Sequence, residues 1–135
     1  MSTVENKALA FRYFDQRWNH NNDAVIDELV GEGMSPEGEK AHLEATHAAF
    51  GDIEFTIDGM IAEGNEVAVR WTAGANYRGQ LYDFAPTGKR LTFHGLVSIR
   101  IVDGKIVRFD GYSDIFETLA GVTRTRTALA ESRRS

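Results

Sequence analysis

Residues 91–113 read LTFHGLVSIRIVDGKIVRFDGYS, two alternating runs that meet at Asp103–Gly104. Successive side chains of a strand point to opposite faces, so alternation of apolar and polar residues marks a half-buried sheet. With Val102, Asp103 and Gly104 as a three-residue loop and Gly104 as a bulge, Ile101 pairs with Lys105. That register sets Val97 opposite Phe109 and Gly95 opposite Gly111. One face then carries Phe93, Gly95, Val97, Ile99, Val107, Phe109 and Gly111, and is expected to lie against the helices. The other carries Thr92, His94, Ser98, Arg100, Arg108, Asp110 and Tyr112, and faces water or a partner subunit. His94 and Tyr112 are direct cross-strand neighbours in this register, with Asp110 diagonal to them.

Upstream, Ile53, Phe55 and Ile57 share one strand face, and Val67, Val69 and Trp71 share another, with the turn at Gly64–Asn65. Tyr77 to Lys89 reads as a loop carrying Pro86 and Gly88. Before Asp52 the period is helical. Val4, Ala8, Phe11, Phe14 and Trp18 recur at three- and four-residue steps, predicting a first helix with that stripe inward. Asn22 or Asp23 caps a second helix through Val30, which Gly31, Gly33 and Pro36 interrupt. Ser35 and Pro36 have the character of an N-cap and first helical position, starting a third helix that runs to about Phe50 and ends at Gly51. Three helices followed by four strands predict an α+β domain over 1–121, with a polar tail over 122–135.

A chain of 135 residues accommodates one domain, and with 42% hydrophobic residues it can build a core without a staple. It contains no cysteine, which excludes thiolate catalysis, disulfides and cysteine-ligated zinc. Met1 to Lys7 is polar and lacks the apolar core of a secretory signal, and no apolar run reaches the length of a membrane span. A cytoplasmic protein with no membrane partner is expected. The net charge of −5 argues against nucleic acid as a partner. Arginines between Arg124 and Arg134 are interleaved with Thr, Ala and Glu, as in a solvated end.

The stretch AEGNEVAVRWTAGANYRGQLYDFAPTGKRLTFHGLVSIRIVDGKIVRF, residues 62–109, resembles the sheet of SnoaL-like polyketide cyclases. ENKALAFRYFDQRWNHNN at Glu5–Asn22 and DELV at Asp27–Val30 are similar to that family's first two helices, so the likeness covers about residues 5 to 121. VAVRWT, PTGK and DGKIV together make it fairly specific. It implies a nuclear transport factor 2-like fold: three N-terminal helices on a curved antiparallel sheet, forming a cone-shaped barrel with one pocket. Ketosteroid isomerase, scytalone dehydratase and limonene epoxide hydrolase share this fold. One region departs from the pattern, the stretch from Val30 to Glu39, which is shorter than is usual in the family.

The resemblance also implies chemistry that this chain alters. Family members carry a general acid/base aspartate on the last strand, with a histidine two positions before it. The matching positions here are Gly111 and Phe109, faced by Val97, and none can move a proton. Candidate catalytic groups are therefore Tyr13, as a donor to a developing oxyanion, and the His94–Tyr112–Asp110 cluster, whose alternative is a polar patch on a solvent or dimer face. Trp18, Tyr77, Phe93, Val97, Phe109 and Gly111 are candidate substrate contacts, with core packing the alternative for Trp18 and an exposed strand end for Tyr77. Asp114 reads as a cap. His42 and His47 are five apart on one helix, off the four-residue spacing of paired ligands, so no metal site is expected.

Two functions follow from this reading. One is a cofactor-free cyclase- or isomerase-type enzyme of secondary metabolism acting on a hydrophobic polyketide-like or polycyclic small molecule. The other is a non-catalytic binding or assembly domain on the same fold. An epoxide hydrolase fits less well, because Gly111 stands where one of its aspartates belongs. A homodimer through the outer sheet face is expected from the mixture of His94, Leu96 and Tyr112 with polar neighbours there.

Overall fold

The computed structural model describes residues 2–121; the tail expected over 122–135 lies outside the described residues. Helix α1 (Thr3–Phe14) runs into a π-helical turn (Asp15–Asn19) and is followed by α2 (Ala24–Leu29) and α3 (Pro36–Ala49). Strands β1 (Phe50–Glu63), β2 (Glu66–Tyr77), β3 (Arg90–Val102) and β4 (Lys105–Ser113) form one antiparallel sheet in the order β1-β2-β3-β4. Residues 115–121 add a short helix, α4. The α+β architecture expected from the change of period is the one the chain adopts. No helix among the described residues is long and apolar enough to cross a membrane.

Local chemistry explains the element ends. Ser2 and Glu5 form a capping box, each side chain accepting the other residue's backbone N–H. Ser35 Oγ accepts the Gly38 N–H with Pro36 in the first turn, as the sequence predicts. Asn22 Oδ1 accepts the Ala24 N–H at the start of α2.

The inward face of α1 differs from the expected stripe. Asn6, Ala10, Tyr13 and Phe14 are buried, and Arg17 continues that face into the π turn, whereas Val4 and Phe11 are 76% and 50% exposed. Ala8 is exposed too. The apolar stripe misleads because the buried face carries two polar residues, Asn6 and Arg17, each with a partner inside the fold.

The β3–β4 hairpin corrects the expected register. Val102 pairs with Lys105, so Asp103–Gly104 is a two-residue turn with both residues at positive φ, the geometry that favours Asp-Gly. Ile101 pairs with Ile106 and Arg100 with Arg108, which leaves Val107 as an extra residue in β4. Ile106, not Val107, is therefore the residue fully buried at this point. Beyond the bulge Phe109 lies opposite Ile99, Gly111 opposite Val97 and Tyr112 opposite Leu96. His94 and Tyr112 are thus not direct partners; Asp114 takes that place, donating its N–H to the His94 carbonyl at 3.0 Å.

The same bulge receives the chain that follows α2. Val30 bridges Ile106, and the Gly31 N–H donates to the Ile106 carbonyl at 2.8 Å. This approach needs a residue without a side chain, because a Cβ on Gly31 would stand 2.6 Å from the Lys105 Cβ.

Two apolar clusters fill the inner face. The larger joins α1, α2 and Leu43 of α3 to Val67, Val69, Val97, Ile99, Ile101 and Ile106. The smaller gathers Phe50, Ala75, Tyr77, Leu91, Phe93 and Leu119 at the far end of the sheet. Trp71 packs against both.

Candidate active site on the inner face

Arg17 lies at the centre of the site, fully buried at 1% exposure. The π turn that carries it is tied to β1 by Asn19, whose carboxamide accepts the Phe55 N–H at 2.7 Å and donates to the Phe55 carbonyl at 2.9 Å. Such widened turns recur at functional sites. From there the Arg17 guanidinium reaches α3. Its Nη1 donates to Tyr13 Oη and to Glu39 Oε2, both at 2.6 Å. Its Nη2 donates to His42 Nδ1 at 2.9 Å and to the Glu39 carbonyl at 3.5 Å. The cation also lies 4.7 Å from the Trp18 ring centroid.

A buried guanidinium is tolerated only when its charge and its donors are met. Glu39, near the start of α3 where the helix dipole also favours a carboxylate, supplies the opposite charge. All four terminal N–H groups of Arg17 are engaged, while Nε is buried without a partner. Arginine has no acceptor, so His42 must present the lone pair of Nδ1 and carry its proton on Nε2. Desolvation and the neighbouring Arg17 charge hold the His42 imidazole below its usual range, which favours the neutral ring. Burial pushes the Tyr13 hydroxyl up.

An aromatic wall adjoins this cluster. Phe109 packs on Phe14, Phe14 on Phe55, and Phe55 on Trp71, with ring centroids 6.0, 5.9 and 5.2 Å apart. Trp18 stacks on Phe55 at 6.4 Å and meets His42 edge-on at 5.8 Å. An open cavity of about 370 Å³ lies between residues 33–39 and β4, lined among others by Met34, Ser35, Glu39, Val107 and Phe109. Glu39 thus connects the opening to Arg17.

Tyr13 is fully buried behind the Arg17 guanidinium. Trp18 and Phe109 belong to the aromatic wall, and Val97 is buried in the larger cluster. Tyr77 and Phe93 lie in the smaller cluster. The Tyr77 hydroxyl accepts the Leu81 N–H at 2.9 Å and donates to the Phe84 carbonyl, tying down the 78–89 loop, so it is neither a rim group nor an exposed strand end. Gly111 is exposed on edge strand β4. A side chain introduced there would start 3.0 Å from the Phe109 ring and reach water at the sheet edge.

On the outer face Asp110 pairs with Arg108 at 2.8 Å. His94 binds Asp114 instead of Tyr112 and Asp110: its N–H donates to Asp114 Oδ1 at 2.7 Å, and its Nδ1 lies 3.1 Å from Oδ2. Asp114 does precede α4, its carbonyl accepting the Thr118 N–H, but its carboxylate serves His94. Arg17 and Glu39 carry no sequence motif. The one available signal is the four-residue step from Tyr13 to Arg17, which places both on one helix face. Among the described residues, no group of three or more His, Asp or Glu side chains is placed to hold a metal ion.

The family model described as SnoaL-like polyketide cyclase matches residues 8–121. Among solved structures, the chain is similar to AclR of Streptomyces galilaeus, a candidate hydroxylase, at 24% identity and TM-score 0.77, covering 88% of this chain and 95% of that one. It is similar to a candidate polyketide cyclase of Acidithiobacillus ferrooxidans at 18% identity and TM-score 0.79, covering 92% and 99%. A SnoaL-like polyketide cyclase of Agrobacterium tumefaciens superposes at TM-score 0.73 with 18% identity, covering 86% and 94%. At these identities the likeness is one of fold. No curated protein matches the chain.

Proposed function

The chain belongs to the SnoaL-like polyketide cyclase family, and on that premise we propose that it is a cofactor-free enzyme of secondary metabolism. Its substrate is a hydrophobic polyketide-like or polycyclic small molecule, and its reaction is a proton transfer of the cyclisation or isomerisation kind. The observation that carries this reading is the buried Arg17, held by Tyr13, Glu39 and His42 beside an aromatic wall that opens at Phe109. Proton-transfer enzymes need titratable groups whose environment is set by burial and neighbours, next to an apolar surface that binds the substrate. The inner face offers both, although its last strand supplies only Phe109 and Gly111. On this reading Tyr13 acts through Arg17, and His94 and Asp110 lie outside the site.

A panel of aromatic poly-β-ketone mimics tests the proposal. Wild-type protein should convert at least one to a cyclised or isomerised product detected by mass spectrometry. Quenching of tryptophan fluorescence (Trp18 and Trp71) without conversion of any panel member would favour a second reading, a ligand-binding domain, which the non-titratable Phe109 and Gly111 support. The homodimer belongs to the same proposal: Leu96 and Tyr112 are 50% and 75% exposed on the outer face, beside His94 and Arg70 in a shallow groove. Sedimentation at micromolar concentration should give a dimer mass, and a monomer would rule it out.

A further inference from the structure

The geometry points to an enolising pair on α3, with Glu39 as the base that takes a proton from the carbon next to a substrate carbonyl and His42 as the neutral donor that receives the carbonyl oxygen. The inference rests on the proposed proton-transfer function and adds to it the acting groups and the substrate class, a flat apolar ketone that can enolise.

Arg17 has no terminal N–H left for a ligand, so it is a positioning residue and not an anion clamp. Glu39 uses Oε2 on Arg17 and lines the open cavity. His42 uses Nδ1 on Arg17, which leaves Nε2–H as a donor on an exposed ring one helical turn beyond the cavity-lining Glu39, edge-on to Trp18. Glu39 and His42 are three residues apart on one helix, a spacing that sets side chains on one face. One guanidinium therefore fixes a carboxylate and a neutral imidazole in a common frame. A carboxylate base with a neutral imidazole electrophile is a known solution for enolisation, because the imidazole polarises the carbonyl without protonating the base.

Glu39 takes the proton from the α-carbon; the C–H electron pair becomes the C=C bond, and the carbonyl π pair moves to oxygen. The enolate oxygen accepts the His42 Nε2–H hydrogen bond. The enolate carbon then attacks a second carbonyl of the same molecule, whose π pair becomes an alkoxide that takes the proton back from Glu39; in the isomerisation outcome Glu39 returns the proton at a conjugated carbon instead. The aromatic wall holds the flat apolar body during either outcome.

Two measurements test the assignment. The first follows deuterium incorporation at C2 of α-tetralone in D2O by NMR. Wild-type protein should accelerate exchange, Glu39→Gln should lose about 10²–10⁴-fold of that acceleration, and His42→Gln about 10²–10³-fold. Exchange that survives in a folded Glu39→Gln overturns the pair while leaving the proton-transfer reading intact. Absence of exchange with wild type, under conditions where α-tetralone quenches the tryptophan fluorescence, overturns both. Glu39→Asp covers the case where Glu39→Gln does not fold: it should keep measurable but slower exchange, and an unchanged rate would count against Glu39. The second measurement needs no substrate. ¹⁵N NMR of the wild-type imidazole should show His42 neutral with its proton on Nε2, and Arg17→Lys should release that tautomer preference. A proton found on Nδ1 in wild type would overturn the assignment.

Discussion

Two histidine–acid arrangements sit on opposite faces of this sheet, and they differ in what surrounds them. Inside, His42 and Glu39 are joined through Arg17, whose side chain is 2% exposed. Outside, His94 meets Asp114 directly, with side chains 64% and 41% exposed. The residue types are similar, yet only the inner set is anchored on a buried guanidinium whose four terminal N–H groups are all engaged, the His42 ring itself staying exposed. Water screens the outer pair, and pairs of that kind contribute little. Burial, more than the identity of the partners, decides which arrangement the fold depends on.

The largest expected effect comes from breaking the inner set. Glu39→Ala removes the counter-charge of Arg17 and leaves a buried cation, which should cost about 3–5 kcal/mol. Urea denaturation followed by tryptophan fluorescence measures it, and a loss below 1 kcal/mol would mean that water reaches Arg17. Tyr13→Phe comes next. It deprives Arg17 Nη1 of one acceptor at a fully buried position, for an expected cost of about 1–3 kcal/mol. An unchanged urea midpoint would show that Tyr13 is no structural partner of the guanidinium.

The inner face should also set the response to acid. His42 and His47 are both held below the ordinary imidazole value of 6.5, chiefly by desolvation. In the unfolded chain they bind protons first, so stability rises with pH across that interval. The contribution is present above 6.5 and is lost as pH falls through that value toward the lowered folded-state values. Melting temperatures between pH 5 and pH 7.5 should fall on the acid side, and His42→Gln should flatten part of that slope.

The order of these effects bears on what the sequence disclosed. The change of period at Asp52, the Gly64–Asn65 turn and the Ser35–Pro36 start were legible because each rests on local backbone chemistry. The α1 face was not, because Asn6 and Arg17 are buried by distant partners: Asn6 donates to the Gly64 carbonyl, and Arg17 is held from α3. The hairpin register failed for a similar reason. The two-residue turn shifts the pairing by one, and the Val107 bulge, where Val30 and Gly31 dock, shifts it by one more. Two odd shifts restore the parity, so Phe109 keeps the inner face although its partner is wrong by two residues.

Asp114→Ala should cost less than the inner substitutions, about 0.5–1 kcal/mol. The carboxylate receives the His94 N–H, so its loss frees one backbone donor, but at an exposed place where water substitutes. Added salt at 0.5 M should narrow the gap between wild type and this variant; a salt-independent loss would mean the bond to the backbone matters and the ring contact does not.

His94→Ala should have the smallest effect, within about 0.5 kcal/mol of wild type and with unchanged turnover. The His94 backbone keeps its bonds to Asp114 whatever the side chain, because the N–H and the carbonyl provide them. What is lost is one exposed ring contact at 3.1 Å. Parity sets the expectation for activity. His94 alternates with Phe93, which is buried on the inner face, so its ring projects to the opposite side of the sheet from Arg17. Reaching the inner face would require an odd shift in β3, and β3 pairs with β2 without interruption from Arg90 to Arg100. Kinetics of His94→Ala and Glu39→Asp under the same conditions separate the two faces. An inactive His94→Ala beside a fully active Glu39→Asp would place the chemistry in the outer groove with Tyr112 and Asp114, and the inner guanidinium would then be a device of stability alone.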